Sequence, residues 1–334
     1  MPSRQAKFLA GAAAILLIGF VVLGAASDVD DQLTAKHRVF GSLGPGLRAL
    51  RRGSDGQYYL LASPNVGIAV FDPSGKELKI IGAPPAASTA ERPPIGLGED
   101  LDVDSQGLLY LADRGSNAVH VLSSDGTLLR SISIHSPISV AALPEGEVAV
   151  TSPRGLHLVS VFDAKGRLAR EFGDAEQLSE REDLNRFVSI GRLASDPQGD
   201  LYYGYPYLPE PLVRKYDRFG FAKLDFQFTA IDAFSEARAM RREIKRQETR
   251  NEPPSLLPIL TAFGVDPVNG DIWMALHNTL LHFDKDGNRR SEYQIYTKEG
   301  ARIEANVILV EENRLLIGSD PLGVYEFARP DRSP

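Results

Sequence analysis

The residues whose types and spacing best suit chemistry are Arg51, Glu99 and Asp102, a guanidinium and two carboxylates lying one repeat apart. Two readings are open. A buried charge without a partner is costly, so Arg51 and Asp102 could pair purely to hold structure. They could equally form part of a polar-ligand or anion site, with Asp100, Glu304 and Asn306 nearby as further oxygen donors. Oxygen ligands of that kind suit a hard divalent cation such as calcium. The six histidines, His37, His120, His135, His157, His277 and His282, form no His-x-x-x-His pair, and there is no Cys. Zinc spacing is therefore absent. His135, just before Pro137 and an inner strand, is placed to face a ligand, and so is His277 at a turn. His120 and His282 alternate with apolar residues and read as packed strand residues. Neither Gly-x-Ser-x-Gly nor a phosphate-cradling glycine loop occurs, which disfavours serine-triad and nucleotide chemistry.

Two segments offer contact surfaces instead. In Tyr202 to Pro211, Tyr205 and Tyr207 are expected in a loop, where exposed tyrosines serve peptides, glycans or protein partners. Thr229 to Pro258 holds a helix that starts at Asp232 or Ser235 and stops before Pro253. Phe234, Ala237, Met240, Ile244 and Gln247 share one face, and the opposite face is basic, with Arg241 and Arg242 as candidate contacts. Asp174 to Asn185 is acidic but lacks calcium-loop spacing, and the proline-rich Gly82 to Gly98 reads as an extended connection.

The elements that position these residues follow from a repeat. Glycines at 56, 107, 146, 199 and 270 each follow an acidic or amide residue and precede an apolar strand. A second turn glycine follows each, at 75, 126, 166, 220 and 287. Alternating apolar runs between such turns mean four short antiparallel strands per repeat. Sheets of this size bury both faces by stacking radially. The expected fold is all-β: a six-bladed β-propeller of four-stranded antiparallel blades. Its sixth copy, from Asn306 to Arg329, lacks an outer strand, which Leu33 to Gly41 would supply to close the ring. One helical insertion lies at about 230–252. The second repeat, with Val103-Asp-Ser-Gln-Gly107, Leu109-Tyr-Leu-Ala-Asp113 and Asn117, resembles an NHL repeat, and the other copies are similar but eroded. The resemblance covers Leu33 to Arg329. It implies a propeller family that includes scaffolds, ligand-binding proteins and a few lyases or lactonase-like relatives.

Composition agrees with a globular domain: 43% hydrophobic residues, 24% charged, and a net charge of −7, which excludes nucleic-acid binding by overall basicity. Residues 1–27 form a separate segment. Arg4 and Lys7 precede an uncharged stretch from Phe8 to Ser27, and Asp28, Asp30 and Asp31 follow. The 19 residues from Phe8 to Ala26 would span about 28 Å as an apolar helix, close to bilayer thickness. Ala25, Ala26 and Ser27 also suit a signal peptidase. Residues 1–27 are thus a retained signal anchor or a cleaved signal peptide, and 28–334 a single propeller facing the periplasm or extracytoplasmic space. The expected function is a binding or scaffold module for a protein, peptide or glycan partner in the cell envelope, with membrane attachment through 8–26 if uncleaved. The alternative is a lactonase-like hydrolase or lyase with an axial polar or metal site.

Overall fold

The computed structural model describes residues 31–41, 45–63, 66–82, 95–228, 235–250, 252–321 and 323–332. The apolar stretch 8–26, most of the proline-rich connection and Phe234 lie outside the described residues, and no described helix is long and apolar enough to cross a membrane.

Asp-x-x-Gly sequences dictate the hairpins. Asp72, Asp163, Asp217 and Asp284 each accept bonds through Oδ1 from the N–H groups two and four residues on, at 2.8–3.0 Å. Such a turn requires a left-handed residue at its fourth position. All ten turn glycines anticipated from the repeat have φ between 74° and 96°. The result is six antiparallel sheets arranged as blades. Their innermost strands are Leu47–Arg52, Gly98–Val103, Ser139–Ala142, Arg192–Ser195, Ala262–Val265 and Val307–Val310. Each packs on the next, and the sixth returns to the first, so the ring is closed.

The blades hold together through residues that alternate across each strand. In Tyr58–Ala62, Leu60 packs with Val307 and Leu316 of blade six, whereas Leu61 packs with Leu101 and Leu109 of blade two. Both faces of this strand are covered, which is why every residue in it is buried.

Ring closure uses a smaller N-terminal element than the Leu33 to Gly41 strand expected from sequence. Only His37–Arg38 joins blade six, antiparallel to Gly323–Ala328. Asp31–Thr34 instead adds a fifth strand to blade five, parallel to Arg289–Tyr296. The segment switches sheets at Ala35, which is buried and donates its N–H to the Tyr296 carbonyl, while the Lys36 N–H reaches Glu326 O.

Two helices lie in the connections that bring the chain into the inner strands of blades four and five: α1, Glu182–Val188, and α2, Ser235–Glu248. Ala237, Met240, Ile244 and Gln247 are the buried residues of α2, on the face anticipated from spacing. The helices are joined by Arg181, which pairs with Asp183 and donates to the carbonyls of Gln247 (2.7 Å), Arg250 and Glu252 (3.0 Å).

Candidate functional site

Inner strands carry the candidate residues to the propeller axis, where two cavities open on opposite faces. The larger, about 520 Å³, lies at the C-terminal ends of the inner strands, among Arg52, Asp102, Ser195, Val265 and Glu311. This is the exit face, where the hairpin turns gather. The other, about 270 Å³, lies at the N-terminal ends, among Arg48, Arg51, Asp100, Arg192, Tyr207 and Asn306. It is the entry mouth.

Arg51 and Asp102 meet as the repeat alignment anticipates: Arg51 Nε donates to Asp102 Oδ1 at 3.0 Å. Asp100 completes the group, accepting from Arg51 Nη2 at 3.3 Å. Both carboxylates continue into blade three. Asp102 Oδ2 accepts the Ala142 N–H at 2.8 Å, and Asp100 Oδ2 accepts the Ser139 hydroxyl and the Val140 N–H. Ser139 Oγ in turn accepts the Leu193 N–H of blade four at 2.9 Å. A polar seam therefore ties the inner strands of four consecutive blades. On the opposite side of the axis the contact is apolar and close: a Cβ on Gly264 would lie 2.9 Å from Ile308 Cγ2 and its carbonyl.

Burial opposes the charge on Arg51, and Asp100 and Asp102 more than restore it, so the guanidinium is held charged. Burial pushes the Asp102 carboxyl above its ordinary range, while Arg51 and the Ala142 N–H pull it back and Asp100 adds to the rise. These carboxylates are already bonded to donors that occupy the directions a cation would need, and the adjacent guanidinium repels one. The oxygen set expected for calcium does not assemble. Glu304 and Asn306 are both exposed, and Asn306 Oδ1 accepts the Asp320 N–H at 2.6 Å. Among the described residues, the one close group of three possible metal ligands is Asp271, His282 and Asp331, which lines neither cavity. It is already occupied internally. His282 stacks on Trp273 with centroids 4.2 Å apart and bonds Asp271 at 3.2 Å, and Asp331 faces Arg329.

Glu99 is buried behind the entry mouth, lining neither cavity, and pairs with Arg114 at 3.1 Å. Its carbonyl accepts Arg192 Nη1 at 2.7 Å, and that nitrogen also reaches the Ile138 carbonyl at 3.1 Å. Neither Arg192 nor the exposed Arg48 has a carboxylate partner among the described residues. The charged residues that line the mouth are three arginines (48, 51 and 192) and one carboxylate (Asp100), a local +2 on a chain of −7. Sequence spacing had singled out Arg51, Glu99 and Asp102 but not Arg48 or Arg192. The signal for Arg192 was available, since it opens an inner strand just as Leu47 and Gly98 do.

The tyrosines separate. Tyr205 was expected as an exposed loop contact, but it is the last residue of the strand Leu201–Tyr205 and is fully buried. Gly204 permits this extension, because a Cβ there would lie 2.6 Å from the Phe263 ring. Tyr205 then packs 4.6 Å from the Tyr203 ring with Arg214 over its face. Burial holds its hydroxyl far above the ordinary range. Tyr207 does lie at the entry mouth, half-buried against Phe187 with ring centroids 5.0 Å apart. Burial raises its hydroxyl pKa, Arg192 opposing and Glu99 adding. His135 is exposed on a connection and lines neither cavity; its carbonyl accepts the Ser152 hydroxyl at 2.6 Å. Arg241 is engaged by Glu210, whereas Arg242 is exposed and has no ion-pair partner among the described residues.

The loop that delivers Glu99 and Asp100 hangs on Asp113, which accepts from the N–H groups of Gly96 (3.0 Å), Leu97 (2.7 Å) and Gly115 (2.9 Å). Burial alone would raise this carboxyl, but His120 and the Leu97 and Gly96 N–H groups outweigh it and hold it well below the ordinary range. A depressed carboxyl contributes stability that is present above the unfolded pKa and is lost as pH falls toward the folded one. Asp113→Asn is expected to cost about 1.5–3 kcal/mol at neutral pH. The deficit should shrink below about pH 4, where the unfolded-state carboxyl is protonated. Thermal melts of both proteins across that range measure it.

No protein-family model matches the chain, and no curated protein matches its sequence. Solved structures do resemble it. A streptogramin B lyase aligns at a TM-score of 0.54 and 14% identity, over 89% of this chain and 87% of its own. A catalytically inactive virginiamycin B lyase from Staphylococcus aureus, in a structure with quinupristin, aligns at 0.55 and 12%, over 87% and 83%. A chain of the mitotic checkpoint complex aligns at 0.54 and 11%, over 98% and 99%. At these identities the likeness shows the six-bladed propeller and nothing about chemistry.

Proposed function

We propose that this chain is an exported, membrane-tethered propeller of the NHL-repeat kind that binds an acidic segment of a protein or peptide partner at the entry mouth. The observation that carries the reading is the pair of guanidiniums, Arg48 and Arg192, that face this mouth without carboxylate partners. Tyr207 adds an amphipathic surface beside them. A local surplus of positive charge on an acidic protein steers an anionic partner and fixes its orientation. The hydrolase or lyase alternative finds less support. Glu99, Asp100 and Asp102 are each paired with an arginine, and the two aspartates also accept backbone N–H groups, which leaves none of the three free as a general base. The multiprotein complex among the structural neighbours is in keeping with a binding role for this architecture.

Titration with a labelled glutamate-rich peptide tests the reading. The double variant Arg48→Gln/Arg192→Gln is expected to bind about tenfold more weakly, the equivalent of one charge-assisted hydrogen bond. Because Arg192 also holds two carbonyls, Arg48→Gln alone serves as the fold-neutral variant and should lose affinity with an unchanged melt. Equal binding by wild type and both variants would exclude the mouth as the site.

A further inference from the structure

We infer that the acidic segment bound at the entry mouth continues across α2, where a solvent-facing ridge at Arg238 and Arg242 takes its second half, so that one extended chain of about ten residues covers both. The inference rests on the entry-mouth reading and adds to it the length and path of the partner. The charge around α2 carries it. At about 100° per residue, Arg238 and Arg242 lie on the side away from the buried Ala237, Met240 and Ile244, and both are exposed. The glutamates of the helix are engaged elsewhere. Glu236 accepts the Ser235 hydroxyl at 2.6 Å, and Glu243 accepts from Gln247 Nε2 at 2.8 Å and pairs with Arg246. Glu248 accepts the Ser179 hydroxyl and the Glu180 N–H, both at 2.8 Å. Arg238 and Arg242 have no ion-pair partner among the described residues. They stand one turn apart, and like charges at this spacing oppose the helix that carries them. A carboxylate chain laid along the ridge relieves that repulsion, on a protein whose net charge of −7 would otherwise repel it.

The ridge adjoins the mouth. α2 lies in the connection that leads into the N-terminal end of Ala262–Val265, the end at which this mouth opens. Two segments join them. Pro206 and Tyr207 line the mouth, and Glu210, on the same short loop, pairs with Arg241 of α2. From Tyr207 to Glu210 the chain covers at most about 11 Å. Pro258 and Leu260 also line the mouth, and Leu260 shares a core cluster with Met240 and Ile244. The Pro206 carbonyl accepts the N–H groups of Ile259 at 2.7 Å and Leu260 at 3.3 Å, which fixes one segment against the other. A strand rises about 3.3 Å per residue, so ten residues, about 33 Å, run from the mouth along the ridge, whereas four, about 13 Å, occupy only one of them. The recess of the mouth decides between anionic partners. Arg192 is half-buried there, within reach of a narrow polypeptide and not of a flat bilayer surface.

Peptides of four and of twelve glutamates, each labelled at one end, are titrated against the full-length chain in nonionic detergent at low salt. Arg238→Gln/Arg242→Gln is expected to weaken the longer peptide about fivefold, the sum of two exposed charge contacts, and to leave the shorter one, held at the mouth, unchanged. Glutamine is a good helix former and both positions are exposed, so the melt should not fall. If the double variant does melt lower, Arg242→Gln alone carries the test, with an expected loss of about twofold. One long peptide should bind per chain. Two per chain, or equal weakening of both peptides, would make the ridge a separate site and overturn the inference. Long-peptide affinity unchanged in the ridge variant but lowered by Arg48→Gln overturns it alone and leaves the mouth reading standing. If Arg48→Gln weakens neither peptide, the mouth reading falls and this inference with it. A ridge variant that loses only its sedimentation with phosphatidylglycerol vesicles, with peptide affinity intact, also overturns it, in favour of a lipid surface.

Discussion

Replacing Arg329 with Met is expected to cost about 3–5 kcal/mol, because it leaves a fully buried carboxylate without its countercharge. The Arg329 side chain is wholly inaccessible, as is that of Asp266, and Nη1 reaches Asp266 Oδ2 at 2.5 Å. The same guanidinium reaches the Glu311 carbonyl at 3.2 Å and Asp331 through Nε and Nη2. It thereby joins the end of blade six to the first turn of blade five. Arg332, 3.2 Å from Asp266, is a partial substitute at most, since it approaches from the partly exposed side. At about 2 °C per kcal/mol for a chain of this length, the melting temperature should fall by about 6–10 °C. Adding Asp266→Asn should restore part of the loss, since the double variant no longer buries an unpaired charge, and a double-mutant cycle gives the coupling. A single-variant loss below about 1 kcal/mol, the range of an exposed pair, would show that water enters the site.

Why Arg329 escaped the sequence while the blades did not is a matter of contact range. A turn with Asp at its first position and Gly at its fourth is satisfied within five residues, as at Asp163 and Gly166, so the repeat and the blade count were legible from spacing. The partner of a turn aspartate's second oxygen is also local in two blades: Tyr110 bonds Asp104 and Tyr202 bonds Asp196, each six residues on and at 3.1 Å. At Asp266 the sixth residue is Ile272, which cannot donate, and the vacancy is filled from 63 residues away. The missing tyrosine was visible in the sequence; the identity of its replacement was not. The Arg51–Asp102 pair was legible because both sit at equivalent positions of adjacent repeats. Arg48 escaped because the mouth it lines is assembled from several blades, and Tyr205 was misplaced because the strand runs one residue past Gly204, whose missing side chain leaves room for the Phe263 ring.

Arg51→Met should be the most pH-dependent variant of the axis. It removes the guanidinium from two carboxylates whose side chains are only 5% and 15% exposed, and leaves Asp100 and Asp102 beside each other. Breaking such a group is expected to cost about 3–5 kcal/mol at neutral pH. In the variant, burial and the like-charged neighbour both raise the folded-state carboxyls above their unfolded values. For an acid whose folded pKa is raised, the folded state binds the extra proton, so stability is greatest below the unfolded pKa and declines as pH rises through it. The deficit relative to wild type is therefore expected to be small near pH 4 and full by pH 7, the opposite trend to Asp113→Asn. Melts of Arg51→Met and wild type at both values measure it. A deficit independent of pH would mean that Arg51 acts through its aliphatic packing and the Leu50 carbonyl that Nη1 reaches at 3.0 Å, not through charge. The trend also bears on the binding reading, since a seam that consumes both aspartates leaves Arg48 and Arg192 as the charges an incoming partner would meet.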